Sequence, residues 1–341
     1  MHLSFKLNGI SFQSEKELIE FAKTISENLY VFLNDWLNEE SFIVVTTSGS
    51  TGTPKPIQLK KKYMINSAKA TGEFFNIKEN TNALLCLSVD YIAGKMMLIR
   101  ALTLGWNIDI IDPVSSPLTE TNKTYDFSAM VPLQLQNSLQ DLHRIKKLIV
   151  GGGVVSSVLI KQLQNISTKV YATYGMTETI THIAVKKLNN YKKTPVFYRT
   201  LPKVKIGIDH RNCLVIQASK VSDELIVTND VVQLISDKNF EWLGRFDNVI
   251  NSGGIKLHPE KIEEKLAKII NRRFFVTGVS DTVLGEKLIL VIEGENYDVK
   301  LDQLESLSKY EKPKEVYFVS DFIVTETKKI QRKKTIELLN L

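Results

Sequence analysis

Nine consecutive residues, Thr47-Ser48-Gly49-Ser50-Thr51-Gly52-Thr53-Pro54-Lys55, concentrate the groups that hold a phosphate chain. Gly49 and Gly52 let backbone amides approach an anion, the hydroxyls of Thr47, Ser48, Ser50 and Thr51 donate further bonds, and Lys55 adds a charge. The spacing is not that of the GTPase P-loop, which puts four residues between its glycines and follows them with Lys-Ser/Thr. Here two residues separate Gly49 from Gly52, and a proline precedes the lysine. The chemistry on offer is polyphosphate binding. A plain Gly/Ser turn is the competing reading, and a string of this specificity argues against it.

With this string the sequence resembles the acyl-adenylate-forming superfamily, which holds acyl-CoA synthetases, luciferases and peptide-synthetase adenylation domains. There the string wraps the triphosphate of ATP. Further family motifs follow in the family's order, so the resemblance runs from about residue 42 to residue 334. Tyr174-Gly175-Met176-Thr177-Glu178-Thr179 resembles the second nucleotide motif. The resemblance implies that Tyr174 stacks on adenine, Thr177 contacts the α-phosphate and Glu178 holds Mg²⁺. The last role suits a hard cation that wants oxygen ligands. Thr228-Asn229-Asp230 is similar to a Thr-Gly-Asp turn whose aspartate binds the ribose hydroxyls. Asn and Gly both tolerate positive φ, so the turn is expected to survive the replacement.

The run Gly244-Arg245-Phe246-Asp247-Asn248-Val249-Ile250-Asn251-Ser252-Gly253-Gly254 matches the family's interdomain signature. It implies that Arg245 reaches the ribose, that Asp247 is a hinge, and that Gly253 and Gly254 sit beside the thiol acceptor. Thr325-Glu326-Thr327-Lys328-Lys329-Ile330-Gln331-Arg332 is similar to the closing Thr-x-x-Gly-Lys-Ile-x-Arg. Aligned on Ile330, the lysine that bridges the acyl carboxylate and the α-phosphate is Lys329, and Lys328 stands where the family has glycine. A solvated basic tail is the plainer account of Lys328 to Lys334.

Three features narrow the choice within the family. Only 46 residues precede Thr47, so the N-terminal subdomain is expected to be trimmed. The strings Tyr-Gly-Met-Thr-Glu-Thr and Asp-Asn-Val-Ile-Asn-Ser-Gly-Gly are similar to o-succinylbenzoate–CoA ligases of menaquinone biosynthesis. Asp90-Tyr91 stands where the family often has an aromatic-His pair, which puts Tyr91 at the mouth of the acyl pocket. Gly151, Gly152 and Gly153 would line its floor, with Gly152 also near the nucleotide. Lys95 and Arg100 follow, and a dicarboxylate needs one cation for the carboxylate that does not react. Lys95 is weighed for that role against an ordinary surface lysine. The co-substrates implied are a small carboxylic acid, ATP with Mg²⁺, and coenzyme A. Two other readings stay open: an aryl-acid adenylating enzyme that loads a carrier protein, and a non-catalytic nucleotide-binding relative.

The elements around these motifs alternate. Ser14 with Glu17 forms a capping box, and apolar residues from Leu18 to Trp36 recur at three- and four-residue spacing, which predicts one helix. Phe42–Val45 reads as a buried strand feeding the phosphate loop. Helices near 62–75, 93–104 and 156–164 alternate with strands at 83–87, 108–111, 148–150 and 169–172, the pattern of a layered α/β sheet. Residues 196–240 turn β-rich, with pieces such as Cys213–Gln217 and Glu224–Val227. Beyond them a small α+β domain contains the helix Pro259–Ile270 and the strands Phe274–Val279 and Lys287–Glu293. The expected architecture is a large α/β domain over 1–246 with a β-rich segment, and a small mobile α+β domain over 247–341.

Composition sets the outer bounds. Of 341 residues, 43% are hydrophobic and 24% charged, ordinary for a soluble globular protein. The net charge is +6, and the 16 basic and 16 acidic residues from Asp247 onward cancel, so the surplus lies in residues 1–246. That surplus suits a polyanion such as ATP as well as a plain basic surface. No nucleic-acid recognition module appears. No run reaches the ~18 apolar residues of a membrane span, and the first residues lack a signal peptide's order. Two isolated cysteines, Cys86 and Cys213, point to a reducing cytoplasm. Self-association is left open.

Overall fold

The computed structural model describes residues 1–46, 56–192, 194–301, 305–325 and 330–339. The loop residues Thr47, Ser48, Gly49, Ser50, Thr51, Gly52 and Lys55, together with Lys328 and Lys329, lie outside the described residues.

Two short strands, β1 (Lys6–Leu7) and β2 (Ile10–Ser11), open the chain. The periodic stretch after them forms two helices rather than one, α1 (Glu15–Lys23) and α2 (Glu27–Leu37). The break is chemical. Thr24 Oγ1 donates to Phe21 O at 2.7 Å, and Ser26 caps a new start by accepting from Leu29 N. Hydroxyls bonded to the local backbone compete with helix continuation. At the first cap Ser14 accepts from Glu17 N, but the Glu17 carboxylate reaches the amide of Gln13 rather than that of Ser14.

The strand β3 (Phe42–Thr46) is not the buried strand expected from its composition. Among the described residues it pairs only with β4 (Pro56–Lys60), outside the main sheet, and Val44 faces solvent.

Next come α3 (Lys61–Phe75), β5 (Asn82–Leu85), α4 (Ile92–Leu104), β6 (Asn107–Ile110), β7 (Tyr125–Met130), α5 (Pro132–Asn137), β8 (Ile145–Val150), α6 (Ser157–Leu163) and β9 (Lys169–Gly175). Strands β6, β5, β7, β8 and β9 run parallel in that spatial order. Side chains alternate between the two faces of such strands. Ala83, Leu85 and Ile149 enter the core under α1 to α4, while Leu84, Cys86, Leu148 and Val150 enter a second core with α6. Burial on both faces is why these strands read as continuous apolar runs. Strand β7 did not, because Asp126 and Ser128 interrupt it. Both are satisfied sideways: Asp126 accepts from Asn82 N, and Ser128 Oγ donates to Leu84 O at 2.9 Å.

An antiparallel continuation follows, with β10 (His182–Lys187), β11 (Tyr198–Thr200), β12 (Lys205–Ile208), β13 (Cys213–Gln217), β14 (Ile226–Leu234) and β15 (Asn239–Arg245). Together these form one 13-stranded sheet ordered β12-β13-β14-β15-β11-β10-β9-β8-β7-β5-β6-β1-β2. Thr228, Asn229 and Asp230 sit inside β14, and Asn229 is not among the residues with positive φ. The expected turn is therefore extended strand, which explains why asparagine serves without strain.

The remaining strands are β16 (Ile250–Ser252), β17 (Ile255–Leu257), β18 (Phe274–Asp281), β19 (Gly285–Glu293) and β20 (Glu315–Val319), with helices α7 (Pro259–Leu266) and α8 (Arg332–Glu337). They form a separate five-stranded sheet whose two apolar clusters draw only on residues from Ile250 onward. Helix α7 stops at Leu266, earlier than expected, with Ala267 as its C-cap. Among the described residues no helix is long and apolar enough to cross a membrane.

Candidate active site

Ligands of open α/β sheets bind in the loops beyond the carboxyl ends of the parallel strands. At that edge Gly151 N donates to Met130 O at 3.1 Å, carrying the chain from β8 across the end of β7. A Cβ on Gly151 would stand 2.6 Å from Thr173 Oγ1, so a glycine is what lets this loop lie against β9. Gly152 follows at φ +79°, a left-handed conformation that glycine adopts without strain.

Tyr174 ends the same edge on β9. Its ring meets Tyr198 and Phe240 edge-on at centroid separations of 5.9 and 5.2 Å, and those two stack on each other at 5.4 Å. Its hydroxyl donates to Asp230 Oδ2 at 2.7 Å. Burial, reinforced by the neighbouring Asp230 charge, raises the phenol far above its ordinary range, so it remains a donor at neutral pH. Trp242 Nε1 donates to the other carboxylate oxygen, Oδ1, at 3.1 Å. Arg245 Nη1 stands 3.9 Å from Oδ1, while Arg245 Nη2 reaches Asp247 Oδ2 at 3.4 Å. Asn229 Nδ2 also donates to Asp247 Oδ2, and Arg211 Nη1 donates to Asn229 Oδ1 at 2.8 Å. Four residues singled out in the sequence, Tyr174, Asp230, Arg245 and Asp247, thus share one network although 73 positions separate the first from the last. Sequence reasoning missed Trp242, Arg211, Tyr198 and Phe240. The alternation Phe240-x-Trp242 in β15 is the signal that places both aromatics on one face of the strand.

Thr177 and Glu178 occupy a short 3₁₀ turn, Thr177–Thr179, with Glu178 exposed. The buried Thr179 hydroxyl accepts from Met176 N at 3.0 Å and lies 2.7 Å from Thr181 O. The next residue, Ile180, has φ +68° and ψ −59°, and Thr181 N donates to Thr179 O at 2.7 Å. This is a γ-turn on a β-branched residue, a conformation that costs about 1–3 kcal/mol. Burying the Ile180 side chain, 2% exposed, returns a similar ~1.5–3 kcal/mol. The turn holds Glu178 outward while Ile180 anchors it in the core.

Behind that turn lies Arg100 of α4, 2% exposed. Its Nε lies 3.4 Å from Thr71 Oγ1, and its Nη2 lies 3.5 Å from both Thr181 Oγ1 and His182 Nδ1. Among the described residues no carboxylate stands within ion-pair distance of it. Burial pushes the guanidinium down to about 9, and burial with the Arg100 charge holds His182 neutral. Lys95 does not have this placement. Its ammonium donates to Val89 O at 2.6 Å and lies over the Phe32 ring, facing α2. The buried cation on this helix is therefore Arg100, not Lys95. Asp90 is tied to Ser88 and Asn28 at 2.7 and 3.0 Å, and Tyr91 is exposed.

Gly253 and Gly254, at φ +58° and +81°, form the two-residue turn between β16 and β17. Gly253 N donates to Leu284 O at 2.8 Å, which packs this turn on the small sheet. Cys86 and Cys213 are buried free thiols, and burial pushes Cys86 up to about 12, so it is no nucleophile at neutral pH.

Comparison with known proteins shows the family of the chain. The AMP-binding enzyme profile matches residues 11–214. The crystal structure of an acyl-CoA synthetase (AMP-forming)/AMP-acid ligase II-like protein from Dyadobacter fermentans DSM 18053 is 36% identical, with a TM-score of 0.63. The match covers 94% of this chain and 98% of that one. A 2-succinylbenzoate–CoA ligase of Lactococcus lactis subsp. lactis is 24% identical over 322 residues, 88% of this chain and 71% of the relative. The o-succinylbenzoate coenzyme A synthetase of Bacillus subtilis, in complex with ATP and magnesium ion, shares the fold at 19% identity and a TM-score of 0.74. That match covers 86% of this chain and 69% of the other. This chain belongs to the AMP-binding enzyme family of AMP-forming acid–CoA ligases, close to the 2-succinylbenzoate–CoA ligases.

Proposed function

We propose that this protein activates 2-succinylbenzoate with ATP and passes the acyl group to coenzyme A. In the first step a carboxylate oxygen attacks the α-phosphorus, and the bond to pyrophosphate breaks. In the second the CoA thiol loses its proton and attacks the acyl carbon, and AMP leaves. The observation that carries the reading is the network joining Tyr174, Asp230, Arg245 and Asp247 at the sheet edge. Asp230 keeps acceptor capacity for ribose hydroxyls beside its two bonded donors, and Arg245 borders the same carboxylate. The Tyr174 ring takes the adenine, Thr177 the α-phosphate, and the loop from Thr47 to Lys55 the outgoing phosphates. Glu178 is an exposed hard oxygen ligand that would hold Mg²⁺, and the ion would supply charge neutralisation as pyrophosphate leaves. Lys329 bridges the carboxylate and the α-phosphate.

The remaining assignments follow the same reading. Residues 1–246 bind ATP and acid, and residues 247–341 form a lid turning at Asp247, whose bonds to Arg245 and Asn229 hold the present orientation. The Gly253-Gly254 turn meets the thiol in the second step. Arg100 supports a dicarboxylic substrate, since it is a buried cation beside the Glu178 turn with no carboxylate among the described residues to neutralise it. A cytoplasmic setting supplies ATP and CoA. The test is thioester formation across a panel of aryl and fatty acids. The proposal predicts the highest kcat/KM for 2-succinylbenzoate, and a medium-chain fatty acid ahead by about tenfold, or ~1.4 kcal/mol, overturns the substrate. Thioester formed on a carrier protein but not on free CoA overturns the acceptor, and absence of pyrophosphate release with any acid overturns catalysis.

A further inference from the structure

Arg332 opens α8, three residues after Lys329. Its Nη2 donates to Glu263 Oε2 at 2.9 Å and stands 3.9 Å from Glu260 Oε1, while its Nη1 donates to Val276 O at 3.0 Å. The guanidinium also lies over the Phe275 ring at 5.6 Å. Glu263 Oε1 accepts from Val276 N at 2.9 Å. One guanidinium therefore fastens the start of α8 to α7 and β18 together. The three side chains are largely buried, at 22% exposure for Arg332, 19% for Glu263 and 11% for Glu260.

Two further contacts extend the cluster. Glu260 Oε1 accepts from Asn248 Nδ2 at 2.6 Å, next to Asp247. Glu260 Oε2 is buried with no hydrogen-bond partner among the described residues, and it fills the space beside Gly244, where a Cβ would meet it at 2.2 Å. The chain upstream of Arg332 is held on the same support: Val324 and Ile330 form an isolated bridge, Gln331 N donates to Ile323 O at 2.8 Å, and the Thr335 hydroxyl accepts from Ile323 N. Val324 on one side of residues 326–329, and Ile330 and Gln331 on the other, are thus held beside Arg332. A buried cluster with two carboxylates on one guanidinium and one carboxylate oxygen left over is a poor way to gain stability. It is a good way to fix geometry, because the planar fork holds several partners at set angles.

We propose that Arg332 is a positioning residue for adenylation. Through Glu263, Val276 O and Glu260 it ties the start of α8, three residues after Lys329 in the chain, to α7 and to the Gly244–Asn248 stretch. The proposal rests on the reading that Lys329 acts in the first step. A misplacement near 1 Å at a reacting group costs on the order of 10²-fold in rate.

The experiment runs each half-reaction separately on full-length protein: ATP–pyrophosphate exchange with 2-succinylbenzoate, and conversion of chemically supplied acyl-adenylate to the CoA thioester. Arg332→Gln should lower exchange kcat by roughly 10²-fold with KM nearly unchanged, and leave the thioester step within about threefold. Arg332→Lys, which keeps a charge for Glu263 but loses the fork, should recover part of the exchange. Equal losses in both half-reactions, or no loss, overturn the proposal. If Arg332→Gln fails to fold, Glu260→Gln decides: a selective loss of exchange supports the link, and an unchanged ratio of the two steps overturns it. Lys329→Ala runs alongside. Full exchange in that variant overturns the reading underneath, whereas lost exchange there with no selective loss at Arg332 or Glu260 overturns the positioning role alone.

Discussion

Replacing Arg100 by methionine tests whether the protein keeps a costly charge for its substrate. The guanidinium is fully buried, and burial pushes its pKa down to about 9. At ~1.36 kcal/mol per tenfold change in proton affinity, that depression sets a ceiling of roughly 5 kcal/mol on the burial cost. The sign follows from linkage. Below about 9 the arginine is charged in both folded and unfolded states, so the full cost is present at neutral pH, and it is relieved only as pH rises above about 9. Methionine matches the length of the aliphatic stem and carries no charge. Of the groups it leaves behind, Thr71 Oγ1 also donates to Ser67 O at 3.0 Å. Replacing buried ionic groups by apolar ones gains about 1–4 kcal/mol in comparable settings. We expect Arg100→Met to gain about 1–3 kcal/mol in urea unfolding at pH 7.5 without substrates, allowing for the lost weak contacts. The same variant should lose roughly 10²-fold in kcat/KM for 2-succinylbenzoate, ~3 kcal/mol, and far less for an aromatic monocarboxylate. A variant destabilised by more than ~2 kcal/mol that discriminates the two acids as before would refute the reasoning.

Glu178→Gln keeps the shape of the exposed side chain and removes its charge, so activity should fall ~10²-fold or more and the Mg²⁺ requirement should shift to higher concentration. An unchanged Mg²⁺ titration would assign the metal elsewhere. Asp247→Pro fixes φ near −65° and deletes an amide donor, and should impair thioester formation more than adenylation. Equal losses would argue against a hinge at that residue. Lys329→Ala should lose ~10²–10³-fold in pyrophosphate exchange yet still convert supplied acyl-adenylate, whereas Lys328→Ala should keep both steps. Loss of exchange in Lys328→Ala instead would shift the motif register by one residue.

The layered α/β core was legible because its strands are buried on both faces, so Ala83–Leu85 and Leu148–Val150 announce themselves by composition. What stayed hidden depended on polar groups satisfied by neighbours. Strand β7 carries Asp126 and Ser128, whose partners at Asn82 and Leu84 are remote in sequence. The helix break at Thr24–Ser26 was masked by apolar spacing that continues through it. The assumed turn at Asn229 followed a family analogy rather than the β-rich residues Ile226, Val227, Val231 and Val232 around it. Within the site, motif residues with distinctive neighbours were readable, and their supports were not. Trp242 and Arg211 gain meaning only from contact with Asp230 and Asn229. Lys95 and Arg100 differ by five positions on one helix, and packing alone decides that the first faces α2 and the second is the enclosed cation.

The most direct test of the account is a single reaction of the purified protein with ATP, Mg²⁺, 2-succinylbenzoate and CoA, followed by nucleotide analysis and mass measurement of the thioester. The account predicts AMP and pyrophosphate in equal amounts, each matching the 2-succinylbenzoyl-CoA formed, with no thioester when ATP is omitted. Production of ADP and phosphate, or a thioester that forms without ATP, would contradict it.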